Sequence, residues 1–305
     1  FLLGDFSQDT TGVADVCPRN LLRKVIRQAT TMGYQPLFAG ELEWFNFKET
    51  PQSWADKQYR DPQPLSPGMF GYSVLRISQH HDFAEALFDQ LHAFQVPIEG
   101  LHTETGDGVY ETCFIYDHPL EAADRMALGK TAIKEIASQY GQMASFMAKW
   151  NASLPGCSGH LHQSLWDDTS SRNLFYESTH PQGMSPILQH YIAGQLYCLP
   201  HILPMFAPNI NSYKRLVAGS WAAVSASWGV ENRTAALRVV PGGPQSTRLE
   251  TRVPGADANP YLSMAAALAS GLYGIRHQLP LHTPATQGNE YDNPQAIPLP
   301  QNLHQ

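Results

Sequence analysis

The sequence predicts an α+β fold in which a mainly antiparallel sheet is backed by helices on one side. Three observations predict it. Strand-type and helix-type segments are mixed along the chain as separate units; several strand-type segments carry charge on one face and apolar residues on the other; and no fixed-period repeat or Gly/Ser-rich linker divides the 305 residues, so one large domain accounts for them.

Taken in order, Pro18–Met32 repeats its apolar residues Leu21, Leu22, Val25, Ile26, Ala29 and Met32 at helical spacing. Pro18 suits the first turn and Gly33 the stop, which predicts an amphipathic helix. Phe38–Phe47 alternates instead, with Glu41, Glu43, Phe45 and Phe47 on one face and Leu42, Trp44 and Asn46 on the other, so it reads as a strand. Asp82–Phe94 is helical, and residues 101–116 read as a glycine-broken segment followed by a strand. Leu120–Tyr140 is a long helix opened by Pro119 and ended by Gly141, and Ala144–Trp150 is read as another strand. A Pro155-Gly156 turn precedes a run with His160, His162 and Ser164 on one side, then a polar loop and a helix around Ile187–Leu199. Ser246–Val253 alternates as a strand, Pro260–Ile275 is a helix rich in small residues, and the Pro/Gln/Asn-rich tail after Leu279 is expected to wrap the surface.

A formal net charge of −7 without a basic stripe argues against nucleic acid or an anionic membrane as partner. No run of eighteen apolar residues occurs, and Phe1–Asp5 lacks the basic flank of a signal peptide, so a cytoplasmic location is expected. Cys17, Cys113, Cys157 and Cys198 are far apart, form no Cys-x-x-Cys pair and are read as reduced thiols without a catalytic role. The chain begins at Phe rather than Met, which makes a missing N-terminal segment an expectation.

The chemistry lies in charges placed where a sheet should be apolar. Period-two alternation puts Arg248, Glu250 and Arg252 on one strand face, with Leu249 and Val253 on the packed side. Alone, such a row also fits a solvated sheet face. Other segments weigh against that. Glu41 and Glu43 share a strand face about 6 to 7 Å apart, close enough to need a counter-charge. Glu104 and Glu111 bracket a loop with Gly106 and Gly108, and His160 and His162 share a face after the Pro-Gly turn. Hard carboxylate oxygens with imidazole suit Mg²⁺ or Mn²⁺. Arg215, Arg233 and Arg238 add forks for carboxylate or phosphate oxygens. Carboxylate-bound divalent ions facing arginines make a nucleoside-triphosphate site, and the absence of a Gly-x-x-x-x-Gly-Lys-Ser/Thr run excludes a P-loop grip.

From about Asp15 to Tyr273 the sequence resembles the glutamine synthetase family. The markers stand in order: Gly40-Glu41-Leu42-Glu43, Leu120–Arg125, Phe146–Lys149, Gly159-His160-Leu161-His162-Gln163-Ser164-Leu165, Asn211–Arg215, Asn232-Arg233-Thr234, and Arg248–Arg252 leading to Asn259-Pro260-Tyr261-Leu262. The resemblance implies a curved antiparallel sheet of guanidino-kinase-like architecture. It also implies ATP-dependent ligation of glutamate's γ-carboxylate to ammonia through a γ-glutamyl phosphate, with two or more Mg²⁺ or Mn²⁺ ions per site. Carried over residue by residue, it implies one metal held by Glu43, Glu104 and Glu111 and another by Glu41, His160 and Glu250. His162, Ser164, Arg238 and Arg248 would contact ATP; Glu43, Gly156, Arg215 and Arg252 would bind glutamate; and Arg233, Arg238 and Glu250 would serve catalysis. Asp107 stands where many members have proline. The expected assembly is a homo-oligomer, two stacked hexameric rings when full length, acting on small molecules.

Two departures matter. Trp221 occupies the place of a glutamate that helps deprotonate ammonium, a pattern similar to relatives that make γ-glutamyl amides of polyamines or alkylamines. Trp221 is therefore an amine-pocket candidate, with mere space-filling beside ammonia as the open alternative. The family's N-terminal β-grasp domain and part of its helical C-terminal tail are expected to be lacking from residues 1–305. Two rivals stand further off. A non-catalytic lens-type relative would tend to lose metal ligands that are all present here, and a guanidino kinase fits poorly with the two-histidine strand and the Asn-Arg-Thr block.

Overall fold

The computed structural model describes residues 2–8, 12–13 and 16–305; Asp15, where the resemblance begins, lies outside them. The chain runs through β1 (Ser7–Gln8), β2 (Gly12–Val13), α1 (Pro18–Thr31), β3 (Gln35–Phe47), α2 (Pro51–Asp56), α3 (Val74–Ser78), α4 (His81–Ala93), β4 (Ile98–Thr103), β5 (Val109–Phe114) and α5 (Pro119–Gln139). There follow β6 (Met143–Ser145), β7 (Leu161–Trp166), α6 (Pro186–Ile202), α7 (Ile210–Arg215), β8 (Trp228–Val230), β9 (Leu237–Val240), β10 (Arg248–Thr251) and α8 (Pro260–Arg276). Apart from the small β1–β2 ladder, the strands form one eight-stranded sheet in the order β4-β5-β3-β7-β10-β9-β8, with β6 also on β3. Every pairing in it is antiparallel except β8 with β9. The α+β expectation holds, and no helix among the described residues is long and apolar enough to cross a membrane.

β3 is the spine. Its first half pairs β7 and its second half β6, while β5 lies along the opposite edge. Phe38, Leu42 and Trp44 turn toward the helical layer and are essentially fully buried, which leaves Glu41 and Glu43 on the other face by simple alternation. The helical layer is tightest where α6 meets α8. A Cβ on Gly194 would press into the Ser270 carbonyl and lie 2.6 Å from Gly274 N, so glycine is required for the close approach.

Two predicted strands shorten. Ala144–Trp150 is strand only at Met143–Ser145, because the backbone then leaves the sheet: Ala148 O accepts from Cys157 N (2.9 Å) and Lys149 N donates to Asn211 Oδ1 (3.0 Å). Ser246–Val253 narrows to β10, since Ser246 and Thr247 donate back to Gly243 O in a turn and Arg252 N reaches across to Ala236 O. The tail after Leu279 does wrap the surface, but it is also anchored. Ala226 N donates to Ile297 O, Leu299 N to Val224 O, and Glu290 is 1% exposed.

Candidate active site

Sheet register assembles the site. On one row His102 of β4 lies opposite Glu111 of β5, and Glu111 lies opposite Glu43 of β3. On another, His162 of β7 lies opposite Glu250 of β10, which lies opposite Arg238 of β9. Glu41 sits between the rows, and its backbone N donates to His160 O just before β7 starts, so His160 projects from a continuation of the ladder rather than from the strand itself. Residues far apart in sequence thus reach one sheet face through strand pairing alone.

The polar contacts are dense. His160 Nδ1 lies 3.2 Å from Glu41 Oε2 and 3.3 Å from Glu250 Oε1. Arg248 Nε donates to His162 Nδ1 (3.0 Å), so the opposite nitrogen carries the proton that His162 Nε2 gives to Glu41 Oε1 (2.9 Å). Glu250 is 1% exposed and ion-paired to Arg252 and to Arg238, the latter at 3.0 Å. Glu43 Oε2 accepts from Ser158 N (2.6 Å). Arg238 also binds Glu231, through Nε at 3.0 Å.

Electrostatics show an excess of buried negative charge. Burial, then the charges of Glu43, Glu41 and Glu104, push the Glu111 carboxyl up to about 11. Burial raises Glu43 to about 7, with Glu104 adding to the push and Ser158 N and Arg215 opposing it. Burial, helped by Arg252, lowers His160 to about 4, so its ring is neutral at pH 7, the form that binds a metal. These donors fit a divalent cation. Glu41, Glu111 and His160 can bring ligand atoms within 4.8 Å of one another, as can Glu41, His162 and Glu250, and His102, Glu104 and Glu111. The separations around His160 match neighbouring ligands of an octahedral ion with bonds of about 2.1 Å. Those separations are from Nδ1; the other ring nitrogen, Nε2, is buried without a hydrogen-bond partner among the described residues. Glu43 belongs to none of these three groups, and its Oε2 accepts from Ser158 N.

Two cavities meet at this cluster. One, of about 430 Å³, is lined by all six predicted metal ligands, Glu41, Glu43, Glu104, Glu111, His160 and Glu250, and by Gly156, Arg215, Trp221, Arg233, Arg238 and Arg252. The other, of about 310 Å³, is lined by His162, Ser164 and Arg248 with Phe114, Tyr116 and Trp166. Glu41 lines both. Arg238 thus faces the first cavity rather than joining His162, Ser164 and Arg248 in the second, and Ser164 Oγ already accepts from Trp166 Nε1 (2.9 Å).

In the larger cavity Arg215 is 3% exposed, yet it donates only to the Val253 and Arg252 carbonyls, and no carboxylate pairs with it among the described residues. A buried guanidinium without an anion is expensive, and the space beside it is open. Gly156 creates that space, since a Cβ there would lie 2.8 Å from Arg215 Cγ and collide with Ala148 O. Arg252 Nε is held by Arg233 O (3.0 Å), and Arg233 Nη1 reaches Tyr72 OH (3.2 Å). Trp221, 61% exposed, stands at the rim with φ +57°.

The sequence reading missed His102 and Tyr72, which line the cleft with rings stacked at 4.7 Å, and Glu231. His102 was findable, because it lies two residues before Glu104 in the same segment. Tyr72 carried no such signal, as it arrives from an irregular loop at φ +56°.

The family described as "Glutamine synthetase, catalytic domain" matches residues 15–305. The chain is 50% identical over 277 residues to "Type-1 glutamine synthetase 2" of Dictyostelium discoideum, covering 91% of this chain and 53% of that protein. It is 38% identical over 277 residues to "Glutamate--isopropylamine ligase" of a Pseudomonas species, covering 91% of this chain and 60% of the relative. The solved structure "GmaS/ADP complex-Conformation 1" superposes with a TM-score of 0.83 at 28% identity, over 94% of this chain and 66% of that one. The chain therefore spans a little over half the length of the curated relatives it matches.

Proposed function

We propose that this chain, which belongs to the glutamine synthetase family, carries the site of an ATP-dependent ligase that joins the γ-carboxylate of glutamate to ammonia. The observation that carries the reading is Arg215, a buried cation with no carboxylate ion-paired to it among the described residues, opening onto a cavity that five carboxyl groups also line. Such a cavity suits an amino acid whose own carboxylate meets the arginines while its reacting end faces bound cations and phosphate.

In this reading ATP lies in the cavity of His162, Ser164 and Arg248, and its phosphates extend past Glu41, which lines both cavities, into the larger cleft. Glu41, Glu43, Glu104, Glu111, His160 and Glu250 would hold Mg²⁺ or Mn²⁺, which when bound neutralises charge on the transferring phosphoryl group. Arg215 and Arg252 orient glutamate, and Arg233 and Arg238 face the phosphoryl group. A γ-carboxylate oxygen bonds to the γ-phosphorus as the bond to the β-phosphate oxygen breaks, releasing ADP and giving γ-glutamyl phosphate. The amine nitrogen then attacks the acyl carbon, the carbon–oxygen bond to phosphate breaks, and the nitrogen passes its proton to the departing phosphate.

Trp221 favours a second reading, a primary alkylamine as acceptor. An indole takes no proton but covers an alkyl chain, and one relative is named for isopropylamine. Phosphate release by the full-length protein with glutamate, Mg²⁺-ATP and either ammonium or alkylamines tests both readings. Amine-dependent turnover lost on omitting glutamate supports the ligase, a preference for ammonium decides for the first reading, and no amine-dependent release removes both.

A further inference from the structure

The backbone at Ala148–Lys149 has left the sheet after β6, so its polar groups need partners other than a strand. Asn211 of α7 supplies two of them. Its Oδ1 accepts from Lys149 N (3.0 Å) and its Nδ2 donates to Lys149 O (2.7 Å). One side-chain amide thus makes the two-point pairing that a neighbouring strand would make, across 62 residues of chain and at a lysine that is itself buried.

Arg215 stands four residues after Asn211, on the same face of the helix. Its guanidinium donates to the Val253 and Arg252 carbonyls, so α7 fastens residues 148–149 with one side chain and residues 252–253 with the other. The Gly156 loop lies between them. Cys157 N donates to Ala148 O (2.9 Å) and Ala256 N to Cys157 O (3.0 Å), while a Cβ on Gly156 would lie 2.4 Å from Ala148 O and 2.8 Å from Arg215 Cγ. The start of α7 is tied to the same wall, because Asp257 Oδ2 accepts from Ser212 Oγ (2.6 Å) and Asn209 Nδ2 (3.3 Å). Gly156 and Arg215 line the larger cavity and Asn211 does not, so the amide acts on the cavity only through the segments it holds.

We propose that Asn211 is a positioning residue for glutamate. By holding the Lys149 peptide it fixes Ala148 O, through that carbonyl the Gly156 loop, and so the gap between Gly156 and Arg215 that the amino acid's carboxylate enters. Without the amide the Lys149 peptide loses both partners, and the loop shifts relative to an arginine that Val253 and Arg252 still hold. The cavity of His162, Ser164 and Arg248 is lined by none of these residues, so nucleotide affinity is spared. The inference rests on the ligase reading, and within it on glutamate meeting Arg215.

Calorimetric titration of the full-length protein with L-glutamate and with ADP, in Mg²⁺, tests this beside steady-state kinetics. Asn211→Ala raises the glutamate Kd about tenfold, the weight of one or two lost hydrogen bonds, and leaves the ADP Kd within about twofold. In turnover KM for glutamate rises in the same proportion while kcat changes less than about threefold. Ser212→Ala, which releases only the Asp257 tie, shifts the glutamate Kd in the same direction by about threefold and serves where Asn211→Ala does not fold. Gly194→Ala, destabilising at the distant α6–α8 contact, leaves both affinities unchanged. A glutamate Kd that neither pocket variant moves overturns the inference, as do glutamate and ADP affinities that fall in step, or a Gly194→Ala shift as large as that of Asn211→Ala. Phosphate release judges the ligase reading separately: its absence while the glutamate Kd moves as expected overturns that reading alone, and a wild type that does not bind glutamate overturns both.

Discussion

Replacing Glu111 by glutamine has opposite consequences with and without a bound cation, and both can be worked from the structure. Without metal, Glu111 is buried among Glu43, Glu41 and Glu104 and titrates near 11 against an ordinary 4.5. At pH 7 the folded chain must therefore hold a proton that the unfolded chain has released. The penalty is set by the distance from 4.5 to 7, about 3 kcal/mol. Because the folded state binds the extra proton between pH 4.5 and 11, metal-free stability falls as pH rises through that window. Glutamine keeps the shape and removes the ionisation, so in chelator at pH 7 Glu111→Gln should be the more stable protein by up to about 3 kcal/mol. That corresponds to a Tm rise of about 5 °C for a chain of this length, with a flattened pH slope. With Mn²⁺ the order reverses. A cation at a hundred times its Kd stabilises the wild type by about 2.7 kcal/mol, a gain the variant largely loses. Differential scanning fluorimetry from pH 5 to 9, in chelator and in Mn²⁺, reads both effects. A variant less stable than wild type in chelator, yet equally stabilised by Mn²⁺, would refute the reasoning.

Arg215→Lys keeps a charge but loses the planar fork, and should raise KM for glutamate about tenfold or more while KM for ATP stays within about twofold in steady-state kinetics. Gly194→Ala drives a methyl group into the Ser270 carbonyl where α6 crosses α8; even after the helix-propensity gain of about 1 kcal/mol, a net loss of about 1 to 2 kcal/mol is expected in urea unfolding. Glu49 is held at about 2 by hydrogen bonds from Lys57, Ser53 and the Gln63 backbone. It contributes stability present above pH 4.5 and lost as pH falls toward 2, so Glu49→Gln should lower Tm at pH 7 and narrow the gap to wild type near pH 2.

The sheet spine and the carboxylate face were legible because alternation is a local property. Leu42 and Trp44 sit in the core and Glu41 and Glu43 opposite them, as period two requires, and Glu250 pairs with Arg252 two residues on along the chain, although its second arginine, Arg238, comes from β9. Proline and glycine punctuation located α1, α5 and α8 to within a residue or two. What the sequence did not reveal depends on partners distant in the chain. Phe146–Trp150 has strand-like apolar residues, but its backbone groups are taken by Cys157 and Asn211. The division of the predicted nucleotide contacts between two cavities, with Arg238 apart from His162, Ser164 and Arg248, follows from strand order, which no local pattern encodes. Likewise, the tail that Glu290 fastens takes its place only once residues 283–299 lie against residues 224–234.

Anomalous diffraction from crystals of the full-length protein grown with Mn²⁺ tests the central claim most directly. Manganese peaks are expected within ligand distance of Glu41, His160 and Glu250, and beside Glu104 and Glu111. A well-ordered cleft with no anomalous peak, at Mn²⁺ concentrations that saturate turnover, would contradict the account.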